Sequence, residues 1–187
     1  MLAHASASRE LVFQPENSAA AFSVRLVWFQ TVSGSFRDLR GNVHIDPATG
    51  MVQVDARIRV DSVAVHPAHY RKRLLGSHFF DAQRFPYIHF VSDPLSVDAL
   101  RSHAGLKGQL TLHGVTRPLD LQLSKNHCRG AGLDGCTLHL HGWLDRTRYD
   151  MHAYRALVSK RVRLDLVIQL ETPVPTAPAT ARSSNNR

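Results

Sequence analysis

Apolar and polar residues alternate along most of this chain. Leu106, Gly108, Leu110 and Leu112 take turns with Lys107, Gln109, Thr111 and His113; Leu119, Leu121 and Leu123 do so with Asp120, Gln122 and Ser124. A period of two puts one set on one face of a strand. Residues 113–118 separate the two runs. Gly114 accepts the positive φ of a turn, and Pro118, without an N–H for a central ladder, suits a strand start. Residues 105–123 are therefore expected to form an antiparallel hairpin with one apolar face. The same alternation recurs over residues 20–28, 51–62, 137–144 and 160–171, with shorter runs at 32–36, 41–46 and 85–92 and a weak strand at 94–100. Gly34 is expected to allow a bend or bulge in a curved sheet. Residues 15–18 and 46–50 are turns by composition. One short helix is expected over residues 67–75, with Pro67 in its first turn and Gly76 at its end.

About eight to ten strands and one helix, without internal repeats, predict an all-β fold: an antiparallel lipocalin-like β-barrel of about eight strands with one short helix. Residues 11–171 make up the barrel. Residues 1–10 are expected to be a mobile leader and residues 172–187 a disordered tail rich in Pro, Ala, Ser and Asn. One face of each strand must point inward, and a barrel of this size has room for side chains or one small ligand. The inward candidates for lining a cavity are Phe22, Val24, Leu26, Trp28, Phe36, Phe79, Phe80, Ile88 and Phe90, with Leu110 and Leu112 from the hairpin. Each is equally readable as plain core.

Two stretches resemble the YceI-like family of polyisoprenoid- and lipid-binding domains. In the hairpin, Gly108, Leu110-Thr111, His113-Gly114, Thr116 and Pro118 follow that family's pattern. In residues 71–92, Leu75, Ser77, Phe79-Phe80-Asp81, Phe85-Pro86, Ile88, Phe90 and Ser92 follow a second one. Arg146, Tyr149 and Met151 resemble a third short segment, in which Asp150 stands where the family usually has glycine; the loop there is expected to differ. Tyr70-Arg71-Lys72-Arg73 is more basic than the family's helix. The resemblance implies a barrel that binds, transports or stores a polyprenyl chain, an isoprenoid quinone or a similar amphiphile. It implies no resident cofactor beyond such a lipid, and a periplasmic location. Cytoplasmic residence stays open, because the first residues lack the charged start and apolar core of an intact signal peptide.

Composition narrows the partners. The net charge is +8, with only Lys72, Lys107, Lys125 and Lys160 as lysines among the 23 Lys and Arg residues. These cations are scattered on polar strand faces rather than run together, so they read first as a solvated surface. Nucleic acid is not expected as a partner; peripheral contact with an anionic membrane and a dimeric state stay open. No stretch approaches the ~20 apolar residues of a membrane helix. Cys128 and Cys136 flank a glycine-rich loop and are equally readable as a disulfide or as two free thiols. No nucleophile elbow, paired catalytic carboxylates or phosphate-cradling glycine loop is present, so no catalytic residues are expected. His139, His141 and Cys136, or His66 and His69, make at best a partial metal site, and no metal is assigned. The competing reading is a metal- or lipid-dependent enzyme, and a third is a stress-related interaction protein with a filled core.

Overall fold

The computed structural model describes residues 9–27, 30–102, 105–128 and 132–172. Twelve antiparallel strands form one sheet: β1 (Arg9–Phe13), β2 (Ala19–Leu26), β3 (Thr31–Phe36), β4 (Leu39–Asp46), β5 (Met51–Arg59), β6 (Val63–His66), β7 (Tyr87–Ser92), β8 (Leu95–Ser96), β9 (Leu106–Leu112), β10 (Val115–His127), β11 (Thr137–Asp145) and β12 (Val158–Glu171). The ring β1-β4-β5-β7-β9-β10-β11-β12 closes where Val12 meets Glu171 and Phe13 meets Leu170, giving the predicted eight-stranded barrel. β1 begins at Arg9, two residues inside the stretch expected to be leader. Residues 1–8 and 173–187 lie outside the described residues.

Three barrel strands are each broken once. A 3-10 turn at Pro15–Asn17 separates β1 from β2, Arg37-Asp38 separates β3 from β4, and a 3-10 turn at Val60–Ser62 separates β5 from β6. The six segments then pair as two groups, β1-β4-β5 and β2-β3-β6, each taking one segment from every broken strand. The first group closes the barrel base. In the second, β6 pairs only with β3 among the described strands, which leaves its far edge without a described strand. A sheet edge presents unpaired backbone groups. Here Arg71 answers them: its Nε donates to Val63 O at 2.9 Å and its Nη2 to Asp61 O at 2.7 Å. Arg71 opens α1 (Arg71–Leu75), which follows a 3-10 turn at Ala68–Tyr70, so the expected helix is present as two short pieces.

The central hairpin forms as expected, with a tighter turn. His113 (φ 53) and Gly114 (φ 75) are its only loop residues, and Leu112 pairs with Val115. Two successive positive φ values match the right-handed twist of the flanking strands. Pro118 is not the start of β10 but its fourth residue, opposite Gln109. It is tolerated because the ladder to β11 begins only at Leu121, so the missing N–H faces no partner strand.

The weak strand expected at 94–100 is only two residues long. α2 (Val97–Arg101) follows it, because Ser96 caps the helix by accepting the Ala99 N–H at 3.1 Å. Gly34 does not bend the sheet either: β2 and β3 stay in unbroken register from Ala20↔Phe36 to Arg25↔Thr31. Its role is space. A Cβ there would lie 2.6 Å from Cζ of Phe22, whose ring crosses β3 at that point. Asp150 takes φ 58, the left-handed region that glycine favours and that Asp tolerates better than most residues, so the loop needs no other backbone path. Cys128 and Cys136 are bonded to each other.

The core is densest at the base. Leu11, Val43, Val52, Leu100, Leu133, Cys136 and Leu170 are each no more than 1% exposed. Where the β5–β7 ladder ends at Asp55↔Val91, buried Ser92 accepts the next free N–H, that of Val54, at 2.8 Å.

Candidate functional site

Toward the mouth the inward side chains no longer meet. They surround a cavity of about 130 Å³. Alternation on β2 delivers Phe22 and Val24 to it, β3 delivers Phe36, β7 Ile88 and Phe90, and β9 Leu110 and Leu112. The rings of Phe22, Phe36 and Phe80 pack together with centroids 5.6–6.0 Å apart, edge-on or tilted, as aromatic quadrupoles prefer. Phe79 and Phe80 come from no strand. The chain after α1 folds back on the helix, with Phe80 N donating to Leu74 O and Ala82 N to Leu75 O. That fold-back carries both rings over the barrel mouth.

Nine of the eleven residues expected to line the cavity do so: Phe22, Val24, Phe36, Phe79, Phe80, Ile88, Phe90, Leu110 and Leu112. Leu26 does not. It lies one turn of alternation beyond the rim, in a groove outside the barrel. Trp28 lies outside the described residues. The opposite wall was not singled out by its aromatics, because its inward face has none. Leu119 and Leu121 of β10, Leu140 and Leu144 of β11, and Val162, Leu164, Leu166 and Ile168 of β12 complete the ring, with Leu74 from α1. Their period-two pattern carried the same information as that of β2.

Leu74 and Phe79 separate the cavity from the outer groove and touch both. The groove has a volume of about 310 Å³ and runs past Leu26, Val27, Val32, Tyr70, Tyr154 and Leu157. Tyr154 stacks on Phe79 with centroids 6.0 Å apart and planes 9° apart, and the Arg73 guanidinium lies over the Tyr154 ring, 5.5 Å from its centroid. Phe79 is thus the partition between chamber and surface.

Among the described residues, Arg146 is the one polar side chain in the cavity wall, and it is 3% exposed. Its guanidinium donates to three backbone carbonyls: Met151 O at 2.6 Å, Ser159 O at 3.0 Å and Val158 O at 3.0 Å. The β2–β12 ladder is irregular there, jumping from Val158↔Leu26 to Val162↔Val24. Arg146 therefore supplies the partners that the irregularity removes from β12. Burial lowers its pKa from the ordinary value, with Asp145 opposing the change and Arg155 adding to it. An arginine remains charged through such a change.

The chamber offers apolar contact and little else. Among the described residues its lining places no nucleophile beside a base. Among the described residues no group of three or more His, Cys, Asp or Glu is placed to hold a metal ion, and the disulfide occupies Cys136, one of the three residues in the partial metal set. An eight-stranded antiparallel barrel with an apolar chamber is a fold suited to apolar lipids. The model of the YceI-like domain matches residues 11–170, and the chain belongs to that family. A UPF0312 protein of Shewanella oneidensis is 28% identical over 160 residues, spanning 82% of this chain and 81% of its own. Among solved structures, Burkholderia cenocepacia BcnA superposes with a TM-score of 0.69 at 17% identity, over 86% of this chain and 99% of that one. A domain of Saccharophagus degradans described as polyisoprenoid binding superposes with a TM-score of 0.66 at 19% identity, over 87% and 98%. At such identities these structures speak for the fold alone.

Proposed function

We propose that the protein binds and carries a long apolar isoprenoid, a polyprenyl chain or an isoprenoid quinone, without chemical turnover. The observation that carries this reading is the continuity of apolar surface from the chamber, past Leu74 and Phe79, into the outer groove. The magnitudes set how the lipid sits. A cavity of about 130 Å³ is close to the ~150 Å³ of an engineered cavity that accepts benzene. Drug-sized ligands occupy roughly 300–1,000 Å³. A long chain must therefore lie partly in the groove or displace the Phe79 and Phe80 rings. The driving force is burial, about 25 cal/mol per Å² of apolar surface. Polyisoprenoid binding by the Saccharophagus domain of the same fold supports the choice of lipid.

Organic extraction of purified protein followed by mass spectrometry tests the proposal, together with titration of delipidated protein with a fluorescent isoprenoid. A co-purifying polyprenyl species and saturable binding are expected. An empty extract and no binding would make the barrel a filled core. The Cys128–Cys136 bond further favours an oxidising compartment, and we propose the periplasm. Alkylation of fractionated cells checks this: both thiols should be blocked in the periplasmic fraction until reduced.

A further inference from the structure

Five large apolar side chains are exposed among the described residues: Val27, Tyr87, Trp143, Tyr154 and Leu157. Two of them stand apart on barrel strands. Tyr87 opens β7 opposite Arg59, and Trp143 on β11 lies beneath Arg161 and Arg163, 4.7 and 6.0 Å from its ring centroid. Scattered residues of this kind are ordinary on a protein surface. The other three are gathered. Val27, Tyr154 and Leu157 are 41%, 45% and 51% exposed, and all three line the outer groove. Backbone hydrogen bonds hold them as one ridge. The Leu157 N–H donates to Tyr154 O at 2.9 Å and the Val158 N–H to the same oxygen at 2.8 Å. The Val27 N–H donates to Leu157 O at 2.9 Å, which ties the end of β2 to the turn before β12. An apolar ridge held in water gains free energy when something covers it.

The neighbours of the ridge indicate the cover. Arg73, the one charged side chain among the described residues lining the groove, lies over the Tyr154 ring. It belongs to α1, where Lys72 is also exposed, and Arg155 is exposed between Tyr154 and Leu157. No acidic side chain among the described residues lines the groove. Asp150, four residues before Tyr154, faces His152 at 3.7 Å. A tyrosine and two aliphatic residues flanked by Lys and Arg suit the boundary between hydrocarbon and anionic headgroups. The apolar groups enter the hydrocarbon edge, and the long basic side chains reach the phosphates. A purely apolar protein face would instead desolvate those cations without pairing them. The position adds the second half of the argument. The same ridge edges the groove that leads past Leu74 and Phe79 to the chamber. Once a bilayer covers it, the groove opens into hydrocarbon, and an apolar chain moves between membrane and chamber without being wetted.

We propose that this ridge, with the basic α1 beside it, docks the barrel mouth onto an anionic phospholipid bilayer. The purpose of docking rests on the lipid-binding reading; docking itself is measured without any isoprenoid. Flotation of the full protein with vesicles of phosphatidylcholine and phosphatidylglycerol in equal parts tests it. The wild type should float with these vesicles, and roughly tenfold less with phosphatidylcholine alone or at high salt, because cations near an anionic surface add attraction that salt screens. The double variant Val27→Asp/Leu157→Asp should stay unfloated, whereas Trp143→Ala should float like the wild type. Hydrogen exchange of the wild type, which needs no variant to fold, should slow on vesicle addition at residues 26–27, 71–75 and 154–158. No flotation of the wild type, an equal loss in Trp143→Ala, or protection confined to other segments overturns the proposal. A vesicle-independent dimer with the ridge protected assigns it to a second copy and overturns the proposal as well. Docking and cargo fall separately. Flotation of a protein whose organic extract is empty keeps the docking and removes the isoprenoid; an isoprenoid-loaded protein that never floats keeps the carrier and removes the docking.

Discussion

The base and the mouth of this barrel are written in the same alternating code and end in different physical states. At the base, β1, β4 and β5 join β12 and close the ring, α2 follows β8 beneath them, and Leu11, Val43, Val52, Leu100 and Leu170 exclude water. None of these five touches the cavity. At the mouth, β2, β3 and β6 pair as a separate group, and between β6 and β7 the chain forms a helix and a loop rather than a ladder. The inward residues there are as apolar as those at the base, yet they line space. Whether an inward residue packs or lines is set by how far the opposite wall stands away. Closure of the backbone decides that, not the side chain.

Substitutions should separate the two ends. The largest effect is expected at the base: Leu11→Ala or Leu170→Ala should cost ~2–5 kcal/mol of stability in urea unfolding, because neither site can collapse. A similar loss from Phe80→Ala would erase the distinction between the ends. Arg146→Met comes next. It leaves three mouth carbonyls without donors and should cost about 2–3 kcal/mol, at ~1–3 kcal/mol for each buried acceptor left unmet and partial rescue by water. An unchanged unfolding midpoint would show that β12 repairs its own irregularity.

Phe79→Ala probes the partition directly. The free protein should lose about 1–2 kcal/mol, less than the ~3–5 kcal/mol of a fully packed Phe. Binding of a fluorescent isoprenoid should change at least tenfold, since that ring touches both chamber and groove. Full stability loss with unaltered binding would assign Phe79 to the core. The smallest effect is expected with pH. Hydrogen bonds from Thr147 hold the Asp145 carboxyl below its usual 3.8, helped by Lys160 and Arg148 against the cost of burial. A depressed folded-state pKa contributes stability above the unfolded value, and that contribution is lost as pH falls through the folded one. Stability should therefore decline below about pH 4, and Thr147→Val should reduce that decline. An identical acid profile in the variant would show that Asp145 draws nothing from Thr147.

The alternation along the chain was enough to determine the barrel, its hairpin and which side chains face inward, since a strand can bury only every second residue. Phe22, Val24, Phe90 and Leu110 were legible for that reason alone. Other features were local and missed: the Ser96 cap that turns Val97–Arg101 into a helix competes with a weak strand pattern only seven residues long. Three things belong to the tertiary structure. Gly34 is a seat for Phe22 because two strands and a ring meet there. Leu26 lies outside the chamber because β2 outruns the barrel rim. The ridge along the groove forms because Val27, from one end of the sequence, is tied to Leu157 near the other. Periodicity reports the face a residue takes; only the path of the backbone reports what stands opposite it.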